Sequence, residues 1–214
     1  MDETSSGLRG LAEPGRMAIA AEVVLDSGDW SGFEPVDQLV ESAVAALNQE
    51  LGFDARVGQR IAVVSLADDA EVRRLNDQFR EQDKPTNVLS FPADVPPGLP
   101  ADAALALALG DVVLAVETID REAAEMAIPP RHHLAHLVVH GILHLLGHDH
   151  ETDAEADRME ALETAILAQL GIADPYDDRE YALCDPAAVA DAACGAETER
   201  QPVEARQSLP PESR

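Results

Sequence analysis

The chain has 214 residues, of which 46% are apolar and only 3% aromatic, so it is long enough for one domain with an aliphatic core. Its formal net charge of −26, from 41 acidic and 15 basic residues, taken alone argues against contact with nucleic-acid phosphates. Two cysteines do not make a secreted disulfide scaffold, and without a leader-like N-terminus or an apolar run near the ~20 residues of a spanning helix we expect a cytoplasmic protein that enters no membrane.

The first half of the chain alternates predicted strands with predicted helices. Pro35 suits the first turn of a helix because its ring fixes a helical φ. Asp68 followed by Glu71 is the signature of a helix N-terminus. The predicted elements are a flexible tail at 1–16, a strand at 18–25, a helix from Pro35 to about Gly52, a strand at 61–66, a helix after Asp68, and a strand at 88–91.

The second half contains the histidines and a long acidic end. Its predicted elements are a proline-rich insertion at 92–109, a strand at 111–117, a helix to about Met126, a histidine-bearing helix after Pro130, a helix at about 152–170, and an acidic tail. The tail has little hydrophobic pattern and is predicted to be disordered. We therefore predict a single domain at 17–171 between the tails 1–16 and 172–214. Four strands and about five helices indicate an α+β fold, with a mixed sheet covered by helices.

All seven histidines lie between positions 132 and 150, and their spacing indicates a metal site. His140 and His144 are four residues apart, so on a helix they share a face about 6 Å apart along the axis. A third histidine in that series would lie about 12 Å from the first, too far to share one ion. Gly147 can end the helix in the left-handed conformation, which lets the chain turn back and present His150. The sequence thus predicts one Zn²⁺ held by His140, His144 and His150 at the end of a central helix.

The remaining histidines are given other roles. His148 lies at the turn and stays open as an alternative ligand. A structural zinc normally has four protein ligands, often cysteines, and no cysteine is near. We therefore expect a fourth position open to water, as in catalytic zinc sites. Three upstream histidines are expected on the polar face or in support of the ligands: His132, His133 and His136.

The spacing H-x-x-x-H-x-x-G-x-x-H at 140–150 is that of the metzincin proteases. In those enzymes a Glu follows the first histidine and acts as general base. Here that residue is Gly141, which cannot accept a proton, so the sequence argues against peptide hydrolysis. A bound zinc can still lower the pKa of its water to about 7. The general base stays open between Asp149, Glu151 and the metal hydroxide itself.

Three segments resemble the bacterial YbeY family in order and spacing: LNDQFREQDKPTNVLSFP at 75–92, LGDVVLAVET at 109–118 and HLVVHGILHLLGHDH at 136–150. The resemblance covers roughly residues 60–170. It implies a zinc-dependent, single-strand-specific endoribonuclease that acts in maturation of the 16S rRNA 3′ end and in quality control of the small ribosomal subunit. It also implies the same three zinc ligands and points to Arg80 as an arginine important for activity. His148 departs from the family, which more often has tyrosine there.

Basic residues cluster in the first of these segments, at Arg73, Arg74, Arg80 and Lys84. Alone this cluster equally fits a solvated helix face, but the resemblance favours contact with RNA. A guanidinium can bind phosphate oxygens in bidentate fashion and stabilise the charge of a phosphoryl transition state. We assign that role to Arg80, and expect Arg73 and Lys84 to guide the strand. Asn87, with Thr86 and Ser90, is a further candidate for contact with phosphate or 2′-OH, with turn and strand-cap roles as the alternative.

The sequence therefore predicts a zinc-dependent endoribonuclease whose partners are ribosomal RNA and the small ribosomal subunit. Two alternatives stay open. One is a ribosome-assembly factor whose metal is structural, and the other is a metal-dependent hydrolase of another substrate. The sequence does not indicate an oligomeric state.

Overall fold

The computed structural model describes residues 17–94 and 107–176. Within them a four-stranded sheet has the order β1-β2-β4-β3. Strands β1, β2 and β4 are parallel, and β3 is an antiparallel edge strand, so the predicted mixed sheet is confirmed. The strands are β1 Met17–Leu25, β2 Asp54–Ala67, β3 Val88–Pro92 and β4 Ala108–Ala115.

In the described part of the chain, five α-helices accompany this sheet, which confirms the predicted α+β class. They are α1 Val36–Glu50, α2 Asp69–Arg80, α3 Val116–Glu125, α4 Pro130–Leu145 and α5 Asp153–Gln169. A short 3₁₀ turn at Ser31–Phe33 precedes α1. No helix among the described residues is long and apolar enough to cross a membrane.

The predicted chain ends and the insertion lie largely outside the described residues. This holds for the tail 1–16, for the acidic tail beyond residue 176, and for positions 95–106 of the insertion predicted at 92–109. The two ends of that insertion are strand residues instead, Pro92 in β3 and Ala108 and Leu109 in β4. The domain bounds 17–171 therefore stay a prediction.

Helices cover both faces of the sheet, and α4 lies at the centre of the larger core. Side chains alternate along β4, so Val112 and Leu114 face one side and Val113 and Ala115 the other. The first side joins a large apolar cluster with α1, α4 and α5. The second joins a small cluster that includes Val72 of α2. Helix α4 contacts β3, β4 and three helices, so its histidines lie on a helix that is packed on several sides.

The start of α3 corrects one predicted boundary. The strand predicted at 111–117 ends at Ala115, and its last two residues are helical. The Asp69 carboxylate accepts a hydrogen bond from the Thr118 backbone N–H at 3.1 Å, while the Glu117 carboxylate accepts one from Asp69 N–H at 2.8 Å. Two helix N-termini thus cap each other across the fold. This tertiary contact starts the helix in a segment whose β-branched residues favour a strand.

Candidate metal centre and adjoining pocket

Helix α4 ends as the sequence predicts, in a turn made by Gly147. This glycine has φ +88°, and a Cβ added to it would meet no atom within 4 Å, so conformation rather than space requires glycine. The Gly147 N–H donates to the His144 carbonyl at 2.9 Å and the His148 N–H to the Leu143 carbonyl at 3.0 Å. These two bonds form a Schellman motif. The chain reverses there, and His150 follows the reversal.

The turn brings together the three predicted ligands, His140, His144 and His150. One ring nitrogen from each lies within 4.8 Å of the others. The Nε2 atoms of His140 and His144 are 3.1 Å apart. A tetrahedral zinc with Zn–N bonds of 2.0–2.1 Å would place ligand nitrogens about 3.3 Å apart. The three imidazoles therefore fit one ion with little movement.

The protonation of His144 suits metal binding. Burial lowers the pKa of His144, and its neighbours His140 and His150 lower that pKa further. The imidazole is therefore neutral near pH 7, which is the form that binds a metal. His148 lines the adjoining pocket, but it is not in either group of potential metal ligands found among the described residues.

Gly141 lies where α4 presses against the sheet. A Cβ at this position would lie 2.7 Å from Cγ1 and 3.1 Å from Cγ2 of Val112, and 3.2 Å from Oγ of Ser90. The Ser90 hydroxyl donates to the Gly141 carbonyl at 3.1 Å. No side chain fits here without displacing β4 or β3. The missing protease base thus has a structural reason, because strand atoms occupy the space that its side chain would need.

Sequence reasoning missed Glu163, a fully buried carboxylate on α5 beside the histidines. Its Oε1 is 2.8 Å from Nδ1 of His140, and its Oε2 is 2.8 Å from Nε2 of His136. The Tyr176 hydroxyl also donates to Oε2. Burial raises the pKa of Glu163, but the hydrogen bonds from His136 and His140 outweigh burial and bring this pKa to about 2. The carboxylate is therefore ionised and accepts hydrogen bonds from both imidazoles.

A signal for Glu163 was present in the sequence. The apolar residues Met159 and Ile166 of the predicted helix lie four residues before it and three after it. Glu163 thus occupies the buried stripe of an amphipathic helix. An acid is rarely buried without a partner. His136, expected on the polar face or in support of the ligands, contacts this carboxylate, which in turn contacts His140.

The three histidines border a pocket of about 520 Å³, which is in the range of small-ligand sites. Arg80 lines this pocket from the end of α2, and its guanidinium has no hydrogen-bond or ion-pair partner within 17–94 and 107–176. The pocket is lined by Arg80, Thr86, Asn87, Val88, Ser90, Pro92, His140, His144, Gly147, His148, Asp149 and His150.

The other predicted substrate-binding residues lie in different settings. Asn87 lines the pocket, but its Oδ1 accepts from Val88 N–H at 2.7 Å and its Nδ2 donates to Glu122 at 2.9 Å. One amide N–H therefore stays available to a ligand. Arg73 lies outside the lining and pairs with Asp83 at 2.6 Å. Lys84 is exposed on the following loop, also outside the lining.

This combination defines a class: an α+β protein with three imidazoles set for one metal ion and, in the same pocket, a guanidinium that has no partner in the described part of the chain, as in a metal-dependent hydrolase of anionic substrates. The family model described as Endoribonuclease YbeY matches residues 31–171. The chain belongs to this family, which confirms the resemblance seen in its three segments.

Several relatives carry the same name, Endoribonuclease YbeY. One from a Bradyrhizobium species is 50% identical over 159 residues, covering 74% of this chain and 93% of that protein. One from Rhodospirillum rubrum is 52% identical over 158 residues, covering 71% and 78% respectively. Among solved structures, a Thermotoga maritima protein studied in solution matches with a TM-score of 0.45 and 24% identity, covering 74% of this chain and 99% of that one.

Proposed function

We propose that this protein is a zinc-dependent endoribonuclease that cleaves single-stranded ribosomal RNA in the pocket between Arg80 and the three histidines. Membership of the endoribonuclease YbeY family supports cleavage of RNA. The observation that carries the proposal is the guanidinium of Arg80, which no described residue pairs with, in the same pocket as three converging imidazoles. A phosphodiester needs both a cationic group for its oxygens and an activated water.

Different residues of the pocket perform different parts of the proposed RNA cleavage. His140, His144 and His150 would hold the ion, and when bound, zinc supplies a Lewis acid and activates water near neutral pH. Arg80 binds the non-bridging phosphate oxygens and stabilises the charge that grows on them in the transition state. The free amide N–H of Asn87 offers one further donor in the pocket.

Two basic residues outside the pocket are assigned to guiding the strand. Arg73 is paired with Asp83, but both side chains are exposed, and such a pair contributes only about 0.2–1 kcal/mol. A phosphate can therefore replace Asp83 as the partner of Arg73. Lys84 is exposed on the loop that leads from Arg80 into β3, so it extends the positive charge away from the cleavage site.

The alternatives are less well supported. A structural zinc would have four protein ligands, whereas the group that includes His144 has three among the described residues, and it opens on a pocket. Peptide hydrolysis lacks its base, since Gly141 stands in that position. Of the two alternatives, a ribosome-assembly factor with a structural metal is the second candidate, and an RNA-cleavage assay distinguishes it from the endoribonuclease.

We further propose that the substrate is the 3′ end of 16S rRNA, that the protein also acts in quality control, that its partner is the small ribosomal subunit and that it works in the cytoplasm. The sequence resemblance implies the substrate, the quality-control role and the partner, while the location is the one expected from the composition and the N-terminal sequence. These proposals narrow the RNA cleavage that the relatives' name describes to one RNA substrate. Comparing the cleavage of different RNAs tests that substrate.

The experiment compares cleavage of a 16S rRNA fragment with a single-stranded 3′ extension, and of the same extension in duplex form, with zinc content measured on each protein. His144→Ala is expected to lose zinc and cleavage together. Arg80→Ala is expected to keep zinc and cleave about 10²–10³-fold more slowly, the usual cost of removing a transition-state donor.

Two control variants lie outside the proposed RNA-binding residues. Arg56→Ala removes a guanidinium of β2 that pairs with Asp54 outside the pocket, and His132→Ala removes an imidazole of α4 that is in neither potential ligand group. Both are expected to cleave as the wild type does. Undiminished cleavage by zinc-loaded Arg80→Ala refutes the role of Arg80, and strong cleavage by folded, zinc-free protein refutes the metal mechanism. Zinc-loaded wild type that binds the subunit without cutting RNA identifies the assembly factor instead.

A further inference from the structure

Glu163 lies behind His140, on the side away from the three-histidine site. His140 Nδ1 faces the Glu163 carboxylate at 2.8 Å while its Nε2 faces His144 at 3.1 Å. We propose that Glu163, held in turn by His136 and Tyr176, is the positioning residue that fixes the ring and the tautomer of His140 for metal binding. This inference rests on the proposed function, because it assigns the metal to the three-histidine site.

The tautomer follows from the donors and acceptors. Two imidazole nitrogens and a hydroxyl surround the Glu163 carboxylate, whose oxygens accept their hydrogen bonds, so the proton of the His140 ring lies on Nδ1, the atom 2.8 Å from Oε1. The lone pair is then on Nε2, the atom that points toward His144. A carboxylate behind a ligand histidine also makes that imidazole a stronger donor to the metal. Without Glu163, both tautomers of His140 would be populated and the ring would be free to turn.

The carboxylate is itself fixed from two further directions. His136 Nε2 lies 2.8 Å from Oε2, and the Tyr176 hydroxyl donates to the same oxygen. Each oxygen of Glu163 therefore has a partner, and one of them has two. A buried charge is tolerated only when it is satisfied in this way. The cluster ties α4, α5 and the segment after α5 together at the point where His140 must be held.

A different assignment has to be weighed, since His136, His140 and Glu163 also form a group that could hold an ion. Their facing atoms are 2.8 Å apart in both pairs, a hydrogen-bond distance. Ligands of one tetrahedral zinc lie about 3.3 Å apart. An ion there would have to break two good hydrogen bonds and the contact with Tyr176. The geometry favours a hydrogen-bonded support over a second ion.

The test measures zinc affinity by competition with a chelator in wild type, Glu163→Gln and Glu163→Ala. Both variants are expected to bind zinc about 10- to 100-fold more weakly. The Glu163→Gln substitution keeps the size of the side chain but offers one carbonyl oxygen where two imidazoles donate. Asp157→Asn is the matched control, because it removes an exposed carboxylate from the same helix, and it is expected to bind zinc as the wild type does.

A second readout separates positioning from general damage. Long-range ¹H–¹⁵N correlation spectra of the metal-free proteins report which ring nitrogen of His140 carries the proton. Wild type is expected to show the Nδ1–H form, and Glu163→Gln a mixture of tautomers. Circular dichroism checks the fold. If Glu163→Gln does not fold, Tyr176→Phe replaces it, with an expected loss of affinity smaller than about 10-fold.

Each result has a defined meaning. Wild-type zinc affinity in folded Glu163→Gln overturns the inference, and so does weaker binding with an unchanged His140 tautomer, which would make Glu163 a structural residue only. If Tyr176→Phe serves as the substitute, wild-type affinity in that variant overturns it too. Failure of the wild type to bind zinc overturns the proposed function instead, so the two failures are distinguishable.

Discussion

Replacing Gly141 by alanine tests whether the close approach of α4 to the sheet is as tight as its distances indicate. The new Cβ would lie 2.7 Å from Cγ1 of Val112 and 3.2 Å from Oγ of Ser90. Val112 of β4 and Ser90 of β3 are partners in the antiparallel pairing of these strands, so the new methyl group would contact both strands at one point. Val112 is fully buried and β-branched, and it has few other rotamers to adopt.

The expected magnitude follows from two opposed effects. Inserting a methyl group into a well-packed core typically costs about 1–3 kcal/mol, and the 2.7 Å contact places this site in the upper part of that range. Alanine in a helix interior is about 1 kcal/mol more favourable than glycine. We therefore expect Gly141→Ala to lower the free energy of unfolding by about 1–2 kcal/mol, whereas helix propensity alone predicts an increase.

The assay is urea unfolding followed by circular dichroism, with chelator present so that metal binding does not contribute to stability. A double-mutant cycle with Val112→Ala isolates the contact, since that change removes both atoms of Val112 nearest to the new Cβ. In the Val112→Ala background, Gly141→Ala is expected to be neutral or stabilising, with a coupling energy of about 2 kcal/mol. An unchanged m-value would show that the denatured state is not responsible.

The result that refutes this reasoning is a Gly141→Ala protein at least as stable as the wild type, with no coupling to Val112. Space would then be available at position 141, and the lack of an acidic residue there would need another explanation. Gly141→Glu carries the same clash with a larger side chain, so it is expected to destabilise further and to create no peptidase activity.

Three more predictions concern the turn, the last helix and pH. Gly147→Ala is expected to destabilise the metal-free protein by about 1–2 kcal/mol, because φ is +88°, and to weaken zinc binding by displacing His150; chelator competition checks this, and unchanged affinity would contradict it. Thr152→Ala removes a complete capping box with Glu155, and a loss of about 1 kcal/mol is expected in urea unfolding; no loss would show that the box is not stabilising. Burial lowers the pKa of His133, so its contribution to stability is present above about pH 6.5 and is lost as the pH falls through the lowered folded-state value. The unfolding free energy of the wild type should therefore fall more steeply below about pH 6.5 than that of His133→Gln, and equal slopes would refute this.

Local sequence patterns predicted the convergence of the three histidines better than the boundaries of the strands. Helix periodicity and the position of Gly147 predict which histidines converge, because both depend on residues close in sequence. Strand β2 instead begins at Asp54, seven residues before its predicted start. Its first part is polar and partly exposed, and it is a strand because it pairs with β1, which starts 37 residues earlier in the chain. Because this pairing joins residues far apart in the sequence, no local sequence pattern predicts it.

Glu163 and Gly141 show how a site depends on contacts across the fold. Each residue lies on one element and contacts another. Glu163 of α5 contacts His140 of α4, and Gly141 of α4 lies close to Ser90 of β3 and Val112 of β4. The sequence places both residues on helices, but the sheet order and the helix packing decide what they touch.

The glycine that removes a protease base also helps to build the pocket. Because position 141 has no side chain, β3 packs directly on α4, and the Ser90 hydroxyl bonds to the helix backbone. Strand β3 and the loop before it supply Asn87 and Ser90 to the pocket, opposite His140 and His144. A glutamate at 141 would push this wall away from the three histidines. The absence of a side chain at 141 therefore has two consequences together: this position offers no carboxylate to act as a base, and β3 lies against α4 as a wall of the pocket.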